Sequence, residues 1–176
     1  MIDIYTQEGK GKAHGKAGYN PLLDELLGGI DEGAERPDFM QMVRMIESGD
    51  KQKAEASKLH GEEYTAKGVY QFTNATVKRA KQRALNLGID QGFISSIPND
   101  PTMWTDKEAD VMFLSNMFAA TMKKKGFVDE LLKKAFAGDR QSMQDLYYGV
   151  HHTGSEEDKY YEATKARVEE FMPLEV

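Results

Sequence analysis

Two stretches decide how the chain is read: MVRMIESGD at residues 42–50 and GVYQFTNATVKRA at residues 68–80. Ahead of the first, Arg36-Pro37-Asp38 is a helix-start signal, and Phe39, Met42, Val43 and Ile46 then recur at helical spacing until Gly49 ends the pattern. The spacing predicts a helix with Glu47 in its last turn. In the second stretch a backbone-permissive Gly68 precedes two aromatic rings and an amide, Tyr70, Phe72 and Gln71. Thr73-Asn74 then caps a helix through Val77, Ala80 and Ala84 to Leu87, stopped by Gly88.

Outward from these stretches the pattern stays helical. Leu22, Leu23, Leu26 and Leu27 form a short apolar stripe closed by Gly28 and Gly29. Thr105 and Glu108 make a capping box, followed by Ala109, Met112, Phe113, Asn116 and Ala120 on one expected buried face. Residues 127–136 are amphipathic, Asp139 caps the next helix, and Ser155 caps the last, where Tyr161, Val168 and Phe171 share a face. Residues 49–67 lack a period and read as a long loop or irregular hairpin. The expected class is mostly α.

At 176 residues the chain fits one domain, divided here into an N-terminal arm at 1–20 and a helical domain at 21–176. The arm, rich in Gly and Lys, reads either as a frayed terminus or as a segment that docks on a partner. With no cysteine, disulfides, thiolate metal sites and a Cys nucleophile are excluded. The N-terminus lacks the apolar stretch of a secretory signal and no run suits a membrane span, so the chain reads as soluble. A net charge of −6 argues against nucleic acid as the main partner. Lys78, Arg79, Lys81 and Arg83 fit the solvated face of an amphipathic helix better than a nucleic-acid surface. The ten methionines fit irregular core packing. No cofactor is expected, and the adjacent His151 and His152 lack a third ligand for a metal.

Glu47 carries the candidate chemistry. Apolar neighbours behind its carboxyl disfavour the charged form, and a protonated carboxyl can supply the proton that a leaving sugar oxygen needs. A Glu at a helix end is also what a solvated surface group looks like, so the neighbouring segments decide.

Those segments carry a resemblance. MVRMIESGD followed by GVYQFTNATVKRA resembles the first two motifs of the soluble lytic transglycosylase and lysozyme-like superfamily: a helix ending in Glu-Ser, matched by Glu47-Ser48, and Gly-Leu-Met-Gln, matched by Gly68-Val69-Tyr70-Gln71. The third motif, a Tyr-Asn pair before a small residue and Gly, with His often replacing Tyr in phage members, is matched by LYYGVHHTG at 146–154. The match places His151 at the aromatic position, His152 beside it, and Tyr147 and Tyr148 one turn earlier. It spans residues 36–171, and it departs from the family in the 24-residue spacing of Glu47 and Gln71 and in Tyr70 where Met is common.

The resemblance implies a lysozyme-like fold with a long active-site loop or small hairpin, and bacterial peptidoglycan as substrate. It gives Glu47 both acid and base roles, with Ser48 and Gln71 positioning the sugar, His151 or Tyr147 orienting the carboxyl, and Tyr70 stacking on a sugar. Phe72 and His152 join this substrate-binding set. In such enzymes one Glu protonates the bond after muramic acid, then helps the sugar's own 6-hydroxyl attack, giving a 1,6-anhydro product. The resemblance to phage members further implies a virion protein, in a tail or inside the particle, with the arm meeting other virion proteins.

Two alternatives stay open. A hydrolase would need a second carboxylate, for which Asp50, Glu62 and Glu63 are available. The Glu, Asp, Thr spacing of hydrolytic phage lysozymes is absent, because Ala56 stands nine residues after Glu47. The acidic balance also motivates a structural or docking module of a phage particle with weak or absent activity.

Overall fold

The computed structural model describes residues 21–30, 35–51, 54–55, 66–121, 127–151 and 161–174, apart from the side chains of 120, 121, 127–129, 151, 161 and 163. The arm at 1–20, Glu62, Glu63, His152 and Ser155 lie outside the described residues. The described elements are helices α1 (Pro21–Gly29), α2 (Asp38–Ser48), α3 (Asn74–Asn86), α4 (Gln91–Ser96), α5 (Asp106–Thr121), α6 (Phe127–Phe136), α7 (Arg140–Leu146) and α8 (Tyr161–Phe171). A 3₁₀ turn at Pro101–Met103 precedes α5, and a π turn at Tyr147–His151 continues α7. The class is all-α: among the described residues no strand forms, and pairing is limited to an antiparallel bridge between Lys67 and Phe72. No described helix is long and apolar enough to cross a membrane.

Local chemistry accounts for the helix starts. Thr73 accepts the Thr76 amide at 3.1 Å to begin α3. The expected box closes on α5 from both sides, with the Thr105 amide on Glu108 at 2.8 Å and the Glu108 amide on Thr105 Oγ1 at 3.2 Å. Asp139 caps α7 by accepting the Ser142 amide at 2.9 Å.

Helix α5 is the centre of the molecule. It packs against α3, α1 and the π turn. The expected single buried face of α5 is too narrow: Ala109 to Ser115, Met117 and Phe118 are all buried, so the helix is enclosed on every side. Each fully enclosed Phe or Leu contributes roughly 1.5–3 kcal/mol through the area it removes from water. Around this axis α2 meets α6 and α8, and α6 meets α7.

The basic face of α3 also differs from expectation. Lys81 turns in to donate to the Ile97 carbonyl at 2.5 Å and to Asn99 at 2.9 Å, and Arg83 donates to Asn116 Oδ1 at 2.6 Å. Burial lowers the pKa of both groups. Lys78 and Arg79 alone keep the exposed face expected of the four.

Candidate active site

The end of α2 is folded by glycine. Gly49 takes the left-handed conformation, φ 64°, and its amide donates to Met45 O at 3.0 Å while the Asp50 amide donates to Arg44 O at 3.1 Å. This closure leaves Glu47, half-buried, in the last turn with Ile46 buried behind it.

Glu47 meets the third motif directly. The Tyr147 hydroxyl donates to Glu47 Oε1 at 2.5 Å, across 100 residues of sequence. Tyr147 opens the π turn, is fully buried, and carries the edge of the Tyr148 ring at a centroid distance of 5.4 Å. Burial first, then the charge of Glu47 and the bond to it, raise the Tyr147 phenol well above its usual value, so it remains a donor at physiological pH. Arg167 of α8 reaches the same helix end, donating to Met45 O at 3.1 Å. Of the two groups expected to orient the carboxyl, Tyr147 is in place. The side chain of His151 lies outside the described part.

The second motif is a tight turn docked on the end of α2. The Lys67 amide donates to Phe72 O at 3.0 Å and the Phe72 amide to Lys67 O at 2.9 Å, closing Gly68–Gln71 between them. Gly68 has φ +76°, and a Cβ there would lie 2.8 Å from Pro101 Cβ, so no other residue fits. Ser48 is the joint between the two motifs: its hydroxyl lies 2.9 Å from Val69 O and 3.1 Å from Arg44 O, and it accepts the Lys51 amide at 3.1 Å. Those contacts occupy the hydroxyl expected to position a sugar. Gln71 is half-buried, in the left-handed region at φ 50°, with Nε2 donating to Gly68 O at 3.0 Å.

Two expected sugar contacts are corrected. Tyr70 is 2% exposed and its ring stacks on Phe113 at 4.3 Å. Phe72 is equally buried, edge-on to Trp104 at 5.6 Å. Both rings belong to the core: Tyr70 lies between Arg44 of α2 and Phe113 of α5, and Phe72 packs on Tyr70 and Trp104. Asp50 is also recast: Oδ1 takes Arg44 Nε at 2.6 Å and Oδ2 takes Gln41 Nε2 at 3.2 Å. With both oxygens engaged it is poorly set to act as a second carboxylate.

Behind the turn lies a buried ionic network. Arg44, 3% exposed, donates to Asp50, to Asp106 at 2.8 Å and to Asp110 at 3.2 Å. Asp110 also accepts the Tyr70 hydroxyl at 2.8 Å and Arg36 Nε at 2.6 Å. Burial opposes the charge on Arg44, but the bonds to Asp106 and Asp50 outweigh it and hold the guanidinium cationic. The network was detectable: Arg44 stands four residues after Met40 on an apolar face, and Asp110 interrupts the apolar run after Ala109. A separate cavity of about 270 Å³ reaches Arg36 and Asp110 from α1, and its lining includes none of Glu47, Ser48, Gln71 or Tyr147.

The fold and site define a mostly helical chain in which a buried phenol, Tyr147, bonds Glu47 at the end of α2 and the Gly68–Gln71 turn docks beside it on Ser48. No protein-family model matches the chain, and neither the curated proteins nor the solved structures contain a match.

Proposed function

We propose that this chain cleaves the MurNAc–GlcNAc bond of bacterial peptidoglycan as a lytic transglycosylase with a lysozyme-like fold. The observation that carries the reading is the 2.5 Å bond from Tyr147 to Glu47, which joins the first and third motif segments at one carboxyl. The contact of Ser48 with Val69 O supports it by bringing in the second. In the proposed reaction Glu47 gives its proton to the glycosidic oxygen as the bond to C1 of the muramic acid breaks. The carboxylate then takes the proton of that sugar's 6-hydroxyl while its oxygen closes on C1. The products are a free GlcNAc hydroxyl and a 1,6-anhydro ring, Glu47 is protonated again, and water is not consumed. Tyr147 orients the carboxyl and steadies its ionised stage by donation.

A virion-borne enzyme suits the net charge of −6, because a particle that delivers the protein to the wall removes the need for a basic surface. Detection of the chain in purified phage particles by mass spectrometry tests that placement; its absence would overturn it.

Digestion of purified peptidoglycan by the wild type and by Glu47→Gln, with the muropeptides identified by mass spectrometry, tests the chemistry. Anhydro-muramic products from the wild type alone are expected. Reducing-end products would instead indicate hydrolysis, for which Glu62 and Glu63 are the remaining candidates, and no product from either would favour a docking module.

A further inference from the structure

The Arg44 network is poorly explained by stability. Two guanidinium groups and three carboxylates meet around Arg44 and Arg36, with Asp110 and Arg44 both almost fully enclosed. Desolvation of buried ion pairs commonly cancels their attraction, and apolar side chains of similar volume often serve a core as well or better. Burial raises the Asp110 carboxyl despite the donors around it, in line with that cancellation.

What the network joins is more telling. Arg44 lies one turn before Glu47 on α2, Tyr70 immediately precedes Gln71, and Asp106 and Asp110 belong to the central helix. Of the two described non-glycine residues with left-handed backbone, Asp50 at φ 60° is a member of the network and Gln71 at φ 50° adjoins it through Tyr70. Such a conformation costs about 1 kcal/mol or more for a residue with a Cβ and persists only where its surroundings over-determine it. Gln71 is held from both sides: Tyr70 is anchored through its hydroxyl to Asp110 at 2.8 Å, and Phe72 is bridged to Lys67 at 2.9 Å.

We infer that the buried chain Arg44–Asp110–Tyr70 is a latch that sets the left-handed Gln71 turn against the helix end carrying Glu47, making all three positioning residues for the bond cleavage. The catalytic consequence rests on the proposed function; the latch itself does not. One end of it is the helix that bears the acid, the other is the residue next to the candidate sugar-binding amide, and buried Asp110 of α5 lies between. A shift of about 1 Å between such groups is enough to lower a rate by one or two orders of magnitude.

Tyr70→Phe in the full chain is the test, because it keeps the ring that stacks on Phe113 and removes the hydroxyl alone. The amide resonance of Gln71 and its HN–Hα coupling, which follow φ, are expected to move away from their wild-type values without any substrate present. The turnover number should fall about tenfold. Leu23→Ala, a core substitution in α1, should lower the melting temperature while leaving the Gln71 signal in place. An unchanged Gln71 signal together with an unchanged turnover number in Tyr70→Phe would overturn the latch. Should Tyr70→Phe not fold, Arg44→Lys, which keeps the charge and loses the forked donation, is read in the same way. If the wild type does not act on peptidoglycan, the proposed cleavage fails while the Gln71 resonance still decides the latch.

Discussion

Removing one oxygen at Tyr147 separates orientation from packing. Tyr147→Phe retains a buried ring against Tyr148 but deprives Glu47 Oε1 of its 2.5 Å donor. A hydrogen bond of this kind contributes about 1 kcal/mol to folding, so the variant should remain folded. Muropeptide release should fall about tenfold or more, since a misaligned acid loses most of its advantage; an unchanged rate would refute the orienting role. Gly68→Ala acts on the opposite side of the site. The new Cβ would sit 2.8 Å from Pro101 Cβ and 2.9 Å from Pro101 O, on a backbone already at φ +76°. A loss of about 2 kcal/mol or more is expected in urea denaturation. The motif resemblance named Glu47, Gln71 and Gly68, and the structure joins their two segments through Ser48 and Val69. The resemblance misjudged Tyr70 and Phe72, because an aromatic beside a glycine turn looks like a sugar platform until Phe113 and Trp104, both distant in sequence, are seen to enclose it.

At the level of elements, what could be read early was what is local. The Thr73 cap and the Thr105–Glu108 box depend on residues three apart and stand where the sequence placed them. Thr73→Ala should lower stability by about 1 kcal/mol in thermal or urea unfolding. Asp139 provides a pH signature. Bonds from the Ser142 hydroxyl and amide hold its carboxyl below the usual range, so the folded chain releases that proton more readily than the unfolded one. The stabilisation is present above the ordinary value of about 3.9 and is lost as pH falls through the lowered folded value. NMR titration of Asp139 should give a midpoint below the ordinary one, and Asp139→Asn should flatten that part of the acid-unfolding curve. An Asp139 midpoint at the ordinary value would count against the cap. The π turn at Tyr147–His151 and the six-residue α4 escaped sequence reading because neither is long enough to display a helical period. The enclosure of α5 escaped for a different reason: which faces of an apolar helix meet solvent is decided by neighbours that arrive from α1, α3 and the π turn.

Across the whole molecule, Arg44 is the residue whose loss should be felt most widely. It ties α2 to α5 through Asp106 and Asp110 and folds Asp50 back on the helix end. Arg44→Met keeps much of the aliphatic volume, leaves Asp106 and Asp110 with Arg36, and takes the guanidinium partner from Asp50. Breaking a buried pair by removing one partner costs about 3–5 kcal/mol, and that loss is expected near neutral pH as a lower urea midpoint. The penalty should depend on pH with a defined sign. Burial raises the Asp106 carboxyl, but the bond and charge of Arg44, with Arg36, outweigh it and bring the folded value below the ordinary one. Asp106 therefore stabilises the wild type above the ordinary carboxylate value, and that contribution is lost as pH falls through the lowered folded value. Asp110 runs the other way: burial raises its folded value, so its ionisation weighs against the fold as pH rises through the interval above the ordinary value. Without Arg44 both carboxylates lose a compensating cation and hold their protons more tightly. The stability gap between wild type and Arg44→Met should accordingly be widest near neutral pH and narrow in acid, as the orphaned carboxylates become neutral in the variant. A gap independent of pH would mean that Arg44 acts through the packing of its stem rather than through its charge.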